Sequence, residues 1–470
     1  MDVNQEILRI FALQQSRAPD FRDNDLDRRR QRLIALRDAV IDQREQIVAA
    51  IQADFGKPEP ETQLSEIMVV LSEIKHALKN LKRWTRPLRV RSSLAMFGTR
   101  AWVRQEPRGV CLIVAPWNYP FNLLMGPLVS AIAAGNTAML KPSELTPNTS
   151  ALMREMLHKL FPEDEVRVFE GETDVAQALL KLPFDHCFFT GSPAIGKLVM
   201  RAASEHLTSV TLELGGKSPV IVTPSADLDQ VARSVAWGKF VNAGQSCTAP
   251  DYLFVHEDQQ PALIEAFRKV VHERYGQTPQ VQAANPDMAR IVNERHHQRI
   301  AGLINEAVAK GARLEMGGPG NADTRHLPPT ILTGIAADSQ ILDEEIFGPV
   351  LPVITYKDLD ETVAWINARP KPLALYIYGK DRPQALRLLH RTSSGDAAIN
   401  TCMVHFSHPN LPFGGVNNSG IGKGHGRWGF QAFSHERAVL SEHFSSSQDI
   451  APPYTPSRTR FARFVARYLS

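Results

Sequence analysis

Gly109-Val110-Cys111-Leu112-Ile113-Val114 is a glycine followed by a short apolar run, the pattern of a buried strand. A helical stretch follows from Phe121, then strand-like Thr137-Ala138-Met139-Leu140, then a helix opened by Thr146-Pro147. Val166-Arg167-Val168-Phe169 is the next strand, with a helix from Asp174. His186-Cys187-Phe188-Phe189 is another, with a helix from Pro193. Strands that alternate with helices at this pace make βαβ units and a mostly parallel sheet, so the fold class is α/β. Ligands on such sheets bind at the carboxyl ends of the strands. The residues just after each strand are therefore the first place to look for chemistry.

Working outward, a second alternating series begins at Ser218-Pro219-Val220-Ile221-Val222. It runs through a helix over 228–240, the strand Tyr252-Leu253-Phe254-Val255 and a helix over 261–275. Strand-like 349–355, helix 359–367, strand 374–378, helix 382–391 and strand 396–400 complete a second α/β unit. Toward the N-terminus, residues up to about Leu81 read as helices. Leu26, Arg29, Leu33, Leu36 and Val40 recur near helical spacing, Phe55-Gly56-Lys57-Pro58 stops the run, and a further helix is expected over 62–84. Residues 88–105 lack a helical period and suit an extended arm.

The chain has 470 residues, enough for two or three domains at about 100–200 residues each. Its composition, 43% hydrophobic and 22% charged, is that of a globular protein. A net charge of +3 gives no whole-protein attraction to nucleic acid or to membranes. Cys111, Cys187, Cys247 and Cys402 are far apart and form no CxxC pair, which suits a reducing compartment and argues against a disulfide framework or a zinc knuckle. The opening Met1-Asp2-Val3-Asn4-Gln5-Glu6 lacks the pattern of a secretory signal, and the apolar run over 123–134 is too short to span a bilayer. A cytoplasmic location is the expectation.

One cysteine stands apart. Phe240-Val241-Asn242-Ala243-Gly244-Gln245-Ser246-Cys247-Thr248-Ala249-Pro250 has the composition of an open, irregular backbone that would let a substrate reach the thiol. Free cysteines are more often buried and inert, so the loop by itself leaves both readings open. After the first strand, Ala115-Pro116-Trp117-Asn118-Tyr119-Pro120 offers the Asn118 amide as an oxyanion donor, or simply a turn asparagine. After the second, Lys141-Pro142-Ser143-Glu144 sets a lysine and a carboxylate where ribose hydroxyls could be held. Were a nucleotide bound, Glu144 would repel a 2′-phosphate. Thr190-Gly191-Ser192-Pro193-Ala194-Ile195-Gly196-Lys197 frames a strand-to-helix turn whose free N–H groups favour phosphate, although it matches neither a GxGxxG fingerprint nor a Walker A loop. In Thr211-Leu212-Glu213-Leu214-Gly215-Gly216-Lys217-Ser218, Glu213 ends an apolar run and could be a base of raised pKa or a capping acid. Glu344-Glu345-Ile346-Phe347-Gly348-Pro349 and the glycine-rich Leu411-Pro412-Phe413-Gly414-Gly415-Val416-Asn417-Asn418-Ser419-Gly420-Ile421-Gly422 could each be plain turns.

In their joint order, the WNYP, KPSE, FTGS, LELGGK, GQSC, EIFGP and LPFGGV segments resemble the aldehyde dehydrogenase superfamily, over about residues 53–440. Cys247-Thr248-Ala249-Pro250-Asp251-Tyr252 and Pro452-Pro453-Tyr454 look like its class 3 branch of fatty, aromatic and coniferyl aldehyde dehydrogenases. The resemblance implies a Rossmann-like NAD-binding domain (1–87 and 106–212), an α/β catalytic domain (213–407), a small β oligomerisation arm (88–105 and 408–445) and a tail (446–470). It also implies a homodimer. The family's nucleophile falls on Cys247, its general base on Glu213 and its oxyanion amide on Asn118. Its cofactor contacts fall on Ala115, Trp117, Lys141, Glu144, Gly191, Ser192, Gly196, Leu214, Glu345 and Phe347, with NAD as the cofactor and NADP as a possibility. No metal is implied. The reaction implied is NAD(P)-dependent oxidation of a medium- or long-chain or aromatic aldehyde to the acid, through a thiohemiacetal and a thioester on the cysteine. The alternatives are a CoA-acylating relative, against which Glu213 argues, a catalytically silent binding relative, and a membrane-recruited scaffold.

Asn417, Asn418 and Lys423-Gly424 depart from the class 3 pattern, which bears on substrate choice. In the tail, Phe461, Phe464, Val465, Tyr468 and Leu469 share one helical face, with Arg460, Arg463 and Arg467 around it. Such a helix can touch a membrane surface but is too short to cross one. Packing over a partner subunit or the substrate entrance is the preferred reading.

Overall fold

The computed structural model describes residues 2–23, 25–92, 96, 98–443 and 451–468. Two strands, β1 (Leu88–Val90) and β2 (Thr99–Pro107), precede the first alternating series, which supplies β3 (Val110–Val114), β4 (Thr137–Lys141), β5 (Val166–Val168), β6 (His186–Gly191) and β7 (Ser209–Leu214). The second series supplies β8 (Pro219–Val222), β9 (Tyr252–His256), β10 (Arg313–Met316), β11 (Thr330–Thr333), β12 (Val350–Tyr356), β13 (Ala374–Tyr378) and β14 (Asp396–Ile399). The chain closes with β15 (Gly420–Ile421) and β16 (Ser434–Glu442). They form three sheets, ordered β15-β7-β6-β3-β4-β5, β10-β11-β12-β9-β8-β13-β14 and β1-β2-β16.

The strand order fixes where a ligand can sit. In the first sheet β3, β4 and β5 run outward one way, and the chain then returns to lay β6 and β7 on the other side of β3, all parallel. The order reverses between β3 and β6, and a crevice opens there at the carboxyl ends. The loops that border it begin at Ala115 and Ser192. At the sheet edge β15 pairs antiparallel with β7, Gly420 opposite Glu213 and Ile421 opposite Leu212, so the late glycine-rich loop reaches the strand end that carries Glu213.

The α/β expectation holds for both series. β7, β10 and β11, and the helices Pro279–Ala284 and Glu294–Ala309, are elements the pattern did not assign. Strand β10 is half exposed, so it has no strong apolar pattern; the Glu294–Ala309 helix does carry an apolar face at helical spacing, with Ile300, Leu303, Ile304 and Ala307 buried.

The N-terminal helices brace the first sheet through buried polar groups. The expected helix over 62–84 has a π-helical turn, Gln63–Ile67, ahead of Met68–Trp84. That turn carries Glu66 into the interior, where Lys57 Nζ donates to Oε1 at 2.8 Å and the Asn122 N–H donates to Oε2 at 2.9 Å. Asp54 caps the Pro147–Leu160 helix, accepting from the Asn148 and Thr149 N–H groups at 3.0 and 2.9 Å. The arm over 88–105 is the β1–β2 hairpin, and β2 pairs along its whole length with β16; Ser93, Leu94, Ala95 and Phe97 lie outside the described residues. The tail forms the helix Pro456–Tyr468, with Leu469 outside the described residues. Among the described residues no helix is long and apolar enough to cross a membrane.

Candidate active site

A cleft of about 670 Å³ lies between the two large sheets, and Asn118, Glu213 and Cys247 all line it. They come from three separate places: the loop after β3, the end of β7, and the loop between the Leu228–Phe240 helix and β9.

The cysteine loop is held in a tight, unusual backbone. Asn242, Ala243 and Gly244 follow one another with φ of 54°, 52° and 71°. Two non-glycine residues in this region store strain, and only surrounding contacts keep them there. Those contacts are present. The Asn242 N–H donates to Glu61 Oε2 at 2.8 Å, and its side-chain amide donates to the carbonyls of Asn118 and Gln245 at 2.9 and 3.1 Å. Gln245, fully buried, donates to the carbonyls of Asn242 and Arg290 at 3.0 and 3.1 Å and accepts from the Val292 N–H at 2.9 Å. Gly244 has to be glycine, since a Cβ there would collide with the Gly348 carbonyl. After this nest the chain presents Cys247 half-buried at the cleft, while Cys111, Cys187 and Cys402 are buried elsewhere.

The electrostatics are those of a site that keeps its protons. Burial pushes the Cys247 thiol well up, and the Glu345 and Glu213 carboxyls push it further. Burial raises Glu213 to about 7, His425 and Lys423 opposing and Asp396 and Glu73 adding. Burial and then Asp251 raise Glu345 to about 8, the Gly216 N–H opposing. Glu213 Oε1 is buried with no hydrogen-bond partner in the protein.

The other end of the cleft lies at the start of a helix. Gly191, Ser192, Pro193 and Ala194 line it at the start of the Pro193–Ser204 helix, with Ser192 Oγ accepting from the Ile195 N–H at 3.4 Å. Leu214, Gly215 and Gly216 form a flat stretch of wall where Glu345 lies so close that a Cβ on Gly215 would strike its carboxylate. Trp117 packs edge-on against Phe347 at 5.4 Å, and Phe347 holds φ of 50°.

A sequence model described as the Aldehyde dehydrogenase family matches residues 4–439. The chain belongs to the aldehyde dehydrogenase family. It is 43% identical over 431 residues to the 4,4'-diaponeurosporen-aldehyde dehydrogenase of Staphylococcus aureus, covering 92% of this chain and 93% of that one. It is 41% identical over 446 residues to mouse aldehyde dehydrogenase family 3 member A2, covering 94% and 90%. A solved structure of Staphylococcus aureus AldH in a substrate-bound state superposes with a TM-score of 0.93 at 41% identity, covering 97% of this chain and 99% of that one. The class 3-like resemblance is thereby borne out, and the protein is an NAD(P)-dependent aldehyde dehydrogenase.

Within this aldehyde dehydrogenase, Trp117, Gly191, Ser192, Leu214, Glu345 and Phe347 line the cleft with the three candidate catalytic residues. Ala115, Lys141, Glu144 and Gly196 are not among the residues that line it. The Ala115 N–H donates to the Lys141 carbonyl at 3.1 Å, which ties the end of β3 to that of β4. Lys141 Nζ donates to the Pro142 carbonyl and to Glu144 Oε2, both at 3.0 Å, leaving the Glu144 carboxylate partly exposed. Gly196 packs on Leu214, with no room for a side chain at the helix–strand contact. The sequence reading missed Lys217, which pairs with Asp251 and also donates to the Ile341 and Glu344 carbonyls at 2.8 Å. It also missed Arg299, which donates to Glu344 Oε1 and the Ile346 carbonyl at 2.6 Å and so fixes the segment that carries Glu345 and Phe347. Lys217 stands in a quoted motif and could have been asked for a partner. Arg299 carried no local signal.

Proposed function

We propose that the cleft oxidises a medium- or long-chain or aromatic aldehyde to its acid by covalent catalysis on Cys247. The observation that carries this reading is the convergence of a reachable thiol, a buried amide and an unpartnered carboxyl on one cleft. Cys247 Sγ attacks the aldehyde carbon. Burial and the nearby carboxyls raise the thiol's pKa, so its proton leaves to water in the cleft as the C–S bond forms. The Asn118 side-chain amide, with the Cys247 backbone N–H, is the donor set for the oxyanion, and one such donor is worth about 3 kcal/mol. Glu213, poised near 7, takes a proton from the water that hydrolyses the thioester and releases the acid.

The residues present fit a dinucleotide. The N–H groups opening the Pro193–Ser204 helix, beside Gly191 and Ser192, suit its pyrophosphate. The exposed Glu144 carboxylate next to Lys141 suits an unphosphorylated ribose, hence NAD ahead of NADP. Leu214, Glu345 and Phe347 would hold the nicotinamide end. When bound, the dinucleotide supplies the hydride acceptor.

The apolar part of the cleft lining, which includes Pro116, Leu123 and Leu342, supports an apolar or aromatic substrate. The test is cofactor reduction with NAD and NADP crossed against short, long-chain and aromatic aldehydes. Activity should be greatest with NAD and a larger aldehyde. Rates on acetaldehyde that match or exceed it overturn the substrate class, and turnover that survives Cys247→Ala overturns the mechanism.

The three sheets support a cofactor domain, a catalytic domain and a β arm with the bounds given above. Exposed Leu88, Val90 and Leu440 on the arm suit a homodimer. The Pro456–Tyr468 helix buries none of its residues and exposes Phe461, Phe464 and Tyr468, which suits a seat on the partner subunit better than on a membrane. Light scattering would give the mass in solution, and removal of the chain from Arg458 onward should weaken the dimer and leave vesicle binding unchanged. The free, unpaired cysteines suit the cytoplasm.

A further inference from the structure

Glu213 faces two cavities. One is the cleft. The other, of about 20 Å³, is lined by Glu213, Asn122, Ser130, Glu73 and His425, among apolar neighbours that include Phe188 and Pro127. Two of its polar atoms, Glu213 Oε1 and Asn122 Nδ2, are buried and have no partner in the protein, and their residues are 5% and 2% exposed. A space this size with several polar partners is what one ordered water needs.

The far wall of that cavity is an ion pair the catalytic reading does not use. His425 Nδ1 and Glu73 Oε1 are 3.0 Å apart, and Glu73 Oε2 accepts from the Gly426 N–H at 2.9 Å. His425 sits with φ of 63°, a conformation a histidine adopts only when its contacts demand it. Gly424, just before it, lies against Glu213, where a Cβ would strike Oε1. Burial alone would lower the His425 pKa. The hydrogen bond and charge of Glu73, with Glu213 and Asp396 beyond, hold it above the ordinary value. From Glu73 the way out is short, because half-buried His76 stands one turn along the same helix.

We infer that a water in this cavity joins Glu213 to the His425–Glu73 pair, and that the pair removes the proton Glu213 takes up during thioester hydrolysis. This rests on Glu213 being the base. Protonated Glu213 gives its proton to the cavity water as that water gives one to His425 Nε2, and the Nδ1 hydrogen bond to Glu73 holds the resulting imidazolium. One proton enters the pair and no other bond changes. The imidazolium then gives up its proton to solvent by way of Glu73 and His76, which leaves His425 neutral and Glu213 ionised for the next water; the groups that face Glu213 are His425, Glu73, Asp396, Lys423 and Cys247. His425 and Glu73 are positioning residues, since neither touches the substrate.

The test separates acylation from hydrolysis by rapid mixing of the full-length enzyme with NAD and a good aldehyde. The variants are His425→Gln, Glu73→Gln and Gly126→Ala, with Glu213→Gln as the control. Gly126 lines the small cavity, and a Cβ there meets only Asn122 Oδ1, at 3.6 Å, so alanine fills the water's place without a clash inside a helix it favours. Each variant should give a full burst of reduced cofactor followed by a steady rate lowered about tenfold or more, with KM little changed. In His425→Gln the pH profile of the hydrolysis rate should also change, because the titrating group beside Glu213 is gone; in Gly126→Ala it should stay. A wild-type steady rate and pH profile in both His425→Gln and Gly126→Ala, with Glu213→Gln slow, overturns the relay and leaves the base in place. Wild-type hydrolysis in Glu213→Gln overturns the base itself. Should His425→Gln lose the burst through misfolding, Gly126→Ala alone decides.

Discussion

The Asn118 side-chain amide donates to the Gln245 carbonyl at 3.1 Å, two residues before Cys247. The same carbonyl also accepts from the Asn242 side chain, so one oxygen ties the strand-end loop to the cysteine loop. The contact holds Asn118 where its remaining N–H can serve the proposed oxyanion, and it ties the backbone just before Cys247 to the same loop.

Asn118→Ala should therefore act on rate far more than on folding. Loss of an oxyanion donor lowers kcat about 10²–10³-fold. Loss of the amide's structural bond costs about 1 kcal/mol, because the Asn242 amide still satisfies the carbonyl. Single-turnover kinetics should place the defect in acylation, and denaturant titration should show a small shift in midpoint.

Glu213 gives a pH prediction in two parts. As the proposed base it works only when ionised, so the hydrolysis rate should rise with pH through about 7. For stability the sign follows from a folded-state pKa raised above the unfolded value of an acid. The folded state holds the proton more tightly, so its advantage is full below pH 4.5 and declines as pH rises to about 7. The loss is about 3 kcal/mol at most. Glu345, raised to about 8, has the same sign, so the test compares Glu213→Gln with wild type. The variant should gain relative stability between pH 4.5 and pH 8, measured by denaturant midpoint. A gap that stays constant with pH contradicts the burial of the charge.

Much of this site could be read from the chain, because its parts sit at strand ends and the strands announce themselves. Cys111 to Val114 and His186 to Phe189 are apolar, and the switch in strand order between them follows from topology that sequence rhythm implies. Glu213 was legible as an acid closing an apolar run. What stayed hidden is what long-range packing creates. The His425–Glu73 pair spans 352 positions, and nothing near either residue names the other. Arg299 stands in a polar helix and acquires its task only when the Glu345 segment folds against it. The three left-handed residues at Asn242, Ala243 and Gly244 were visible only as a loop, because an alanine gives no sign of positive φ.

The Lys57–Glu66 pair is wholly buried and should behave as a buried ion pair does. Lys57→Met leaves Glu66 in the interior with the Asn122 N–H as its remaining partner among the bonds above, and should cost about 3–5 kcal/mol. The double variant Lys57→Met with Glu66→Leu should recover part of that loss, since no charge is then stranded. The coupling is read from a double-mutant cycle of denaturant midpoints. Single and double variants of equal stability would contradict it. Because Glu66 also holds the start of the Asn122–Ala134 helix, the single variant should raise KM as well.

Gly244 sets a tight bend three residues before Cys247. Its φ is +71°, and the Gly348 carbonyl occupies the place a Cβ would take. Alanine at 244 meets both penalties, positive φ and a collision with backbone that cannot swing aside, so a loss of more than about 1 kcal/mol is expected. The larger effect should fall on the thiol. Gly348 follows Phe347 and Glu345, so the backbone that gives way also lines the cofactor end of the cleft. Gly244→Ala should slow alkylation of Cys247 by a small thiol reagent and weaken NAD binding together. Gly302→Ala, where a Cβ meets nothing, is the control that should leave both unchanged. Were Gly244→Ala to spare thiol reactivity and NAD binding, the strained nest would have no part in presenting the cysteine.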